Sequence, residues 1–115
     1  MSIKRFKVGQ RMSQCVSYGE TVYLAGQVAD DSSQDITGQT RQILTKIDGL
    51  LAEAGSDKSK LLSATIWLAD MRTFEQMNKV WDAWVSPGNT PARATVEAKL
   101  ARADLVVEIA VIAAK

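Results

Sequence analysis

Three charged side chains lie within strand-like segments near the C-terminal end of this 115-residue chain. Residues 91–98 alternate so that Arg93, Thr95 and Glu97 share one face of a strand. Glu108 is the single charged residue of the apolar segment that follows. A guanidinium binds a carboxylate through two parallel hydrogen bonds, and a carboxylate in apolar surroundings orients water or accepts a proton. Arg93 and Glu108 are therefore the candidates for chemistry.

Each candidate also has a structural interpretation. Glu108 would pair with Arg93 or Lys99 as an interface ion pair, and the spacing alone favours this over a catalytic role. Arg93 would form a salt bridge with Glu97, an alternative that chemistry alone leaves balanced against carboxylate recognition. Glu97 is interpreted as structural. Thr95 offers a hydroxyl or a backbone N–H to a ligand, although a β-branched residue is ordinary in a strand.

The amino-acid composition excludes several kinds of active site. The chain has no histidine, which rules out Ser-His and Cys-His nucleophile pairs and His-ligated metals. Cys15 is the only cysteine, so the chain has no internal disulfide or thiolate metal cluster. It falls in a predicted hairpin among polar residues, where we interpret it as a bystander thiol. Proton transfer is left to Asp, Glu, Lys, Tyr or water, and no metal or cofactor motif is present.

The charge and hydropathy patterns argue against nucleic acid and membranes as partners. Fourteen basic and thirteen acidic residues give a net charge of +1, which offers no broad surface for nucleic acid. The sequence contains neither a signal-peptide core nor an apolar run long enough to span a membrane. We expect a cytoplasmic protein.

The periodicity predicts one domain over residues 1–115. Asp35 is placed as the N-cap of the first helix and Gly55 as its left-handed C′ residue, while Thr73 and Gln76 match a capping box before the second helix. The predicted class is α+β, with two helices packed on one face of a single mixed sheet. Strands are expected at 3–8, 13–18, 21–26, 61–69, 91–98 and 105–113, and helices at 36–54 and 74–85.

Two helices can cover only one face of that sheet. In the segments 61–69 and 105–113 both sets of alternating residues are largely apolar. A face in contact with water would be polar at every second position. We therefore predict a homo-oligomer in which another copy of the chain buries the second face, with Glu108 in the interface.

The C-terminal segments resemble the signature of a known family. The run Pro91-Ala92-Arg93-Ala94-Thr95-Val96-Glu97, followed by Val107-Glu108-Ile109-Ala110-Val111-Ile112-Ala113, is similar to that of the RidA/YjgF family. The resemblance covers nearly the whole chain and includes Gly26-Gln27, Glu53-Ala54-Gly55 and Asn78.

This resemblance implies a chorismate-mutase-like fold, a homotrimer and a site at each of three subunit clefts. It also implies a cofactor-independent deaminase that hydrolyses 2-aminoacrylate and related 2-imino acids to 2-keto acids and ammonia. In that scheme Arg93 binds the substrate carboxylate and Glu108 positions the attacking water, with Gly26 and Asn78 lining the site.

Three positions differ from the best-known members of the family. Met12 replaces a tyrosine that lines the site, Ala25 replaces a serine, and Thr95 replaces a cysteine. The replacements make the predicted pocket wall less polar and indicate a divergent subgroup with the deaminase apparatus retained. Two alternatives remain: a non-catalytic module that binds small carboxylates, and an endoribonuclease or translation inhibitor. The near-neutral charge and the missing histidine argue against the second.

Overall fold

The computed structural model describes residues 1–115, which form one six-stranded sheet and two helices. The strand order is β1-β2-β3-β6-β4-β5, and β4 with β5 is the only parallel pair. This arrangement confirms the predicted α+β class with a single mixed sheet. The elements are β1 (Ile3–Val8), β2 (Ser13–Tyr18), β3 (Thr21–Leu24), α1 (Ile36–Glu53), β4 (Leu61–Leu68), α2 (Phe74–Trp84), β5 (Ala92–Glu97) and β6 (Val107–Ala114).

The first helix begins and ends as its sequence predicts. The Asp35 carboxylate accepts a hydrogen bond of 3.0 Å from Gly38 N, and Gly55 follows the helix with φ of +81°. The apolar stripe packs against the sheet, and its members Ile36, Thr40, Ile43, Leu44, Ile47, Leu50 and Leu51 are all buried.

The second helix does not use the predicted capping box. Thr73 makes no capping hydrogen bond with its side chain, which instead donates to the Asp70 carbonyl at 2.7 Å. A short 3₁₀ turn, Met71–Thr73, leads directly into α2, so the Thr73 backbone (φ −91°, ψ 7°) is near-helical and not extended. Asp70 caps that turn by accepting from Arg72 N at 2.9 Å. The predicted helix start at Phe74 is therefore confirmed, whereas the predicted capping hydrogen bond of Thr73 is wrong.

Strand β3 is two residues shorter than predicted. After Leu24 the backbone leaves the regular ladder, and Ala25 N donates to the Gln14 carbonyl of β2. Gln27 then forms an isolated antiparallel bridge to Ile109 of β6, with N–H···O bonds of 2.8 and 3.1 Å. Its side chain donates to Gln14 Oε1 at 2.9 Å. The segment between Leu24 and Gln27 is thereby fixed to both neighbouring strands.

The sheet has one face covered by the helices and one open face. On β6, Val107, Ile109 and Val111 belong to the covered face and are at most 1% exposed. Glu108, Ala110 and Ile112 alternate with them on the open face and are half-buried. Other apolar side chains of that open face are more exposed, among them Ile3, Tyr18, Tyr23 and Val96. The sequence predicted that the face left uncovered by the helices is largely apolar, and the structure confirms this.

Cys15 occupies a different environment from the one predicted. It faces the covered side of the sheet and is fully buried in the hydrophobic core. Burial raises the pKa of its thiol, and the nearby Glu53 carboxylate raises that pKa further. Both effects disfavour the reactive thiolate, so the interpretation of a bystander thiol holds for a different physical reason.

Gln39 is a buried polar residue that the helical pattern did not single out. Its Nε2 donates to the carbonyls of Ser32, Gln34 and Asp104 at 2.9–3.2 Å, and its Oε1 accepts from Val106 N at 3.1 Å. All its polar atoms are therefore satisfied. These bonds fix the loop after β3 and the chain that leads into β6, and so they help to position Glu108.

A charge placed at the centre of the open face tests whether another copy covers it. We expect Ile112→Lys to convert the predicted oligomer to a monomer, because an interface would have to bury an unpaired ammonium group. Light scattering coupled to size-exclusion chromatography measures the mass. Ala52→Lys, on the exposed side of α1, is the matched control and should keep the wild-type mass. A wild-type protein that is already monomeric would contradict the prediction.

Candidate functional site

Glu108 lies on the open face at the middle of the sheet. The antiparallel register pairs it with Trp67 of β4, next to the Ala110–Thr65 pair on the same face. Its carboxylate takes part in none of the three salt bridges of the chain. It also accepts no hydrogen bond from another residue of the chain. A half-buried carboxylate without a partner is unusual in an apolar surface. It is available to a ligand or to a group from another copy.

Gly26 provides the space that the Glu108 side chain occupies. A Cβ atom at Gly26 would overlap Glu108 Oε2 and lie only 3.0 Å from Cδ and 3.2 Å from Cγ. Any side chain at position 26 would therefore push the carboxylate away. The glycine is required here by close approach and not by a left-handed backbone.

We expect Gly26→Ala to lower activity much more than stability. The carboxylate is the mobile end of a flexible side chain, so it can move at a cost of less than about 1 kcal/mol. A displacement of about 1 Å can nevertheless cost about 100-fold in rate. Gly49→Ala is the matched control, because its Cβ would meet no atom within 4 Å and it should gain about 0.5–1 kcal/mol from helix propensity. Thermal melts and kcat/KM measure both, and equal activity losses for the two variants would contradict the prediction.

Two other residues predicted for the site lie at the same end of the β2–β3 pair as Gly26. Ala25 precedes it and is hydrogen-bonded to Gln14 of β2. Met12 is 48% exposed in the turn between β1 and β2, where its carbonyl accepts from Gly9 N at 2.7 Å. Glu108, Gly26, Ala25 and Met12 together are called the glutamate group below.

Arg93 lies on the opposite face of the sheet. The parallel register pairs it with Ala64 of β4, whose side chain is buried under the helices. Its guanidinium carbon is 5.3 Å from the ring centre of Trp81 and 5.9 Å from that of Phe74, both on α2. Arg93 forms no salt bridge and is exposed in the single chain. Its planar fork is therefore free to bind an anion.

The residue proposed as a salt-bridge partner of Arg93 has a different role. Glu97 accepts a hydrogen bond from Met71 N at 2.9 Å, at the start of the short turn before α2. This contact supports the structural interpretation of Glu97, and it leaves the alternative of an Arg93–Glu97 salt bridge without support.

Two buried polar atoms without partners accompany Arg93. Thr95 follows Arg93 on the same face of β5, and its Oγ1 makes no hydrogen bond. Asn78 lies on α2 between Phe74 and Trp81 along one side of the helix, and its Oδ1 is also unpaired. Buried polar atoms are rarely left without partners, so both could accept a hydrogen bond from a ligand. Arg93, Thr95 and Asn78 are called the arginine group below.

The predicted site residues therefore separate into two groups on opposite faces of one sheet. Strand β4 lies between β5 and β6, which places the two strands about 10 Å apart. Arg93 and Glu108 point away from each other across that sheet. They form no ion pair within the chain, and one small molecule cannot contact both side chains of the same copy. Lys99, the other proposed partner of Glu108, also forms no ion pair.

Sequence reasoning missed the contact of Phe74 and Trp81 with Arg93. Helical spacing on α2 predicts only that both rings face the core, where Trp81 does lie at 4% exposure. The available signal was their i, i+7 spacing with Asn78 between them, which places all three on one side of α2. Their contact with Arg93 depends on the pairing of β5 with β4, which no local pattern specifies.

Other features of the chain do not coincide with these groups. A polar cleft of about 480 Å³ lies between α1 and the β1–β2 edge, lined by Lys7, Gln14, Gln27, Asp30, Lys46, Gly49, Leu50 and Glu53. No cluster of three or more His, Cys, Asp or Glu side chains could hold a metal ion. Neither helix is long and apolar enough to cross a bilayer.

Comparison with known proteins identifies the family. The family model described as Endoribonuclease L-PSP matches residues 2–115. A RutC family protein of Haemophilus ducreyi is 46% identical over 97% of this chain and 96% of its own length. The RutC family protein YoaB of Escherichia coli K12 is 43% identical over 99% of both chains. The chain belongs to the RidA/YjgF family.

Solved structures agree with this assignment to the RidA/YjgF family. NMB1025 of Neisseria meningitidis, a member of the YjgF family, is 45% identical and superposes with a TM-score of 0.97, covering 100% of this chain and 96% of that one. An uncharacterized protein from Pseudomonas aeruginosa is 46% identical with a TM-score of 0.97 over 99% of both chains. These neighbours confirm the fold that the resemblance implied.

Proposed function

We propose that this RidA/YjgF protein is a cofactor-independent deaminase that hydrolyses 2-aminoacrylate and related 2-imino acids to 2-keto acids and ammonia. Arg93 binds the substrate carboxylate and Glu108 activates water. The observation that carries the proposal is that these are an unpaired guanidinium and an unpaired, half-buried carboxylate in a chain of this family. The single cysteine and the absence of any disulfide fit a reducing compartment, and we propose the cytoplasm.

The two groups are sufficient for imine hydrolysis. The imine carbon is already electrophilic, so no nucleophilic side chain or metal is needed. Arg93 holds the carboxylate through its fork and fixes the position of that carbon. 2-Aminoacrylate first tautomerises to its imine, which reacts in its protonated form. Glu108 accepts a proton from water as the oxygen attacks the imine carbon, giving a carbinolamine. The carboxyl returns this proton to the nitrogen and the C–N bond breaks. As the C=O bond forms, the hydroxyl gives its proton to the Glu108 carboxylate, which passes it to solvent, and ammonia and the 2-keto acid leave.

The opposite placement of Arg93 and Glu108 supports a site between subunits. Because one copy presents Arg93 on its covered face and Glu108 on its open face, a complete site needs the arginine group of one copy and the glutamate group of another. The exposed apolar residues of the open face supply an interface for such an assembly. We propose a homotrimer with three such sites, related by its three-fold axis.

The remaining site residues would shape the pocket around a small substrate. Thr95 Oγ1 and Asn78 Oδ1, both without partners in the single chain, would meet polar atoms of the substrate or ordered water beside Arg93. Met12 and Ala25 would line the wall formed by the other copy, which becomes less polar than in the best-known members. This wall favours an apolar substituent on the imino acid.

Direct assay tests the proposal. The purified protein is added to a pyridoxal-phosphate enzyme that releases 2-aminoacrylate, and pyruvate and free 2-aminoacrylate are followed in time. We expect the protein to accelerate pyruvate formation in proportion to its concentration. An unchanged rate of 2-aminoacrylate decay at every protein concentration would overturn the proposal.

A module that binds small carboxylates without turnover is the second candidate, because the unpaired Arg93 serves it equally well. It predicts that pyruvate raises the melting temperature in an Arg93-dependent way while 2-aminoacrylate decays at its uncatalysed rate. The same two measurements therefore separate the candidates.

Ribonuclease activity is a third candidate, raised by the description of the matching family model. The net charge of +1 and the absence of histidine give it little support. An activity on RNA that stays constant per mole through further purification, and that is lost in Glu108→Gln, would favour it over the deaminase.

A further inference from the structure

We propose that Phe74 and Trp81 are positioning residues that hold the Arg93 guanidinium ready for the substrate carboxylate. This inference rests on the proposed function for its catalytic consequence, but the packing itself is a property of the free protein. Arg93 is exposed in the single chain and has no acidic partner, yet its guanidinium lies over both rings.

The two ion-paired arginines of the chain show what Arg93 lacks. Arg72 binds Asp70 at 2.7 Å and Arg102 binds Asp104 at 3.1 Å, each through a carboxylate that neutralises its charge. Arg93 is attracted instead to the negative faces of two aromatic rings, with no carboxylate competing for its N–H groups. The rings therefore orient the guanidinium while leaving its donors for a ligand.

The helix fixes the rings more firmly than a loop would. Trp81 is 4% exposed, belongs to the core cluster and packs on Trp84 with ring centres 5.4 Å apart. Phe74 packs against the same cluster from the first turn of α2. A flexible arginine on a rigid surface loses less conformational freedom when it binds a carboxylate, and this lowers the cost of binding.

The matched pair of variants is Trp81→Leu and Trp84→Leu. Both remove an indole from α2 and loosen the same core, but Trp84 hydrogen-bonds Asp48 and lies outside the contacts of Arg93. We expect Trp81→Leu to weaken pyruvate binding and to raise KM for imino acids by about 5- to 30-fold with a smaller change in kcat. Trp84→Leu removes one neighbour of Trp81 but leaves both rings beside Arg93 and the rest of the core around Trp81, so it should stay within about 2-fold of the wild type. Trp81→Phe should recover most of the loss because it restores a ring.

An NMR measurement separates this inference from the proposed function. In the free wild-type protein the Arg93 Nε–Hε signal should be shifted upfield by the ring currents, and Trp81→Leu or the half-buried Phe74→Leu should reduce that shift. This result does not depend on turnover, so it stands if the protein proves inactive. Two results would overturn the inference: an Arg93 signal at the position of an ordinary solvated arginine, or equal losses of pyruvate affinity in Trp81→Leu and Trp84→Leu.

Discussion

Arg93→Ala is expected to lower kcat/KM for 2-imino acids by about 100- to 1,000-fold, because it removes the bidentate bond to the carboxylate and the orientation that this bond provides. The effect should appear in both kcat and KM, since in the proposed mechanism Arg93 binds the substrate and also positions the reacting carbon. Stability should change little, because Arg93 is exposed in the single chain and has no ion-pair partner. Steady-state kinetics on generated 2-aminoacrylate measures the loss.

Two controls define the origin of this loss. Arg93→Lys keeps the positive charge but not the planar fork, and it should recover only part of the activity. Arg72→Ala removes an exposed arginine that is paired with Asp70, and it should retain wild-type kinetics. If Arg93→Ala forms pyruvate as fast as the wild type, Arg93 is not the carboxylate-binding group.

Glu108→Gln is expected to lower kcat by about 100- to 10,000-fold with a small change in KM, because the amide cannot accept the proton of the attacking water. The substitution keeps the shape of the side chain, so it should not disturb the close contact with Gly26. Pyruvate should still bind, since the proposed site holds its carboxylate through Arg93. Isothermal titration with pyruvate and single-turnover kinetics separate binding from the chemical step.

Glu97→Gln is the matched control for this variant. It makes the same chemical change on β5, which β4 separates from β6, at a carboxylate that accepts a hydrogen bond from Met71 N. We expect kinetics within about 3-fold of the wild type, because an exposed structural contact of this kind contributes little. Equal losses in Glu97→Gln and Glu108→Gln would contradict the assignment of Glu108 as the proton acceptor.

Local patterns were enough to predict most of the fold. Helical spacing and the Asp35 and Gly55 caps located α1, and the alternation of apolar residues in 105–113 correctly divided the faces of β6. The capping-box pattern gave a wrong prediction at Thr73. The same residue types also occur where a 3₁₀ turn precedes the helix, and the N-cap backbone is then not extended. Local patterns also misled at Cys15, because burial on β2 depends on which face the helices cover.

The candidate site was predictable in its residues but not in its layout. The alternation of residues shows which neighbours share a face with Arg93 on β5 and with Glu108 on β6. It does not show whether those two faces lie on the same side of the sheet. Only the register of β5 and β6 against β4 relates those faces to each other, and that register is set by long-range pairing. The same pairing places Arg93 over Trp81, a contact that a helical stripe alone does not reveal.

Subunit mixing tests the central claim, that each site combines Arg93 of one copy with Glu108 of another. Arg93→Ala and Glu108→Ala chains are unfolded together in equal amounts and refolded, with each variant refolded alone as the control. A three-fold arrangement gives every mixed trimer one intact site, so the mixture should regain about a quarter of the wild-type activity. Activity that stays at the average of the two inactive variants, in mixtures shown by mass spectrometry to contain mixed trimers, would contradict the account.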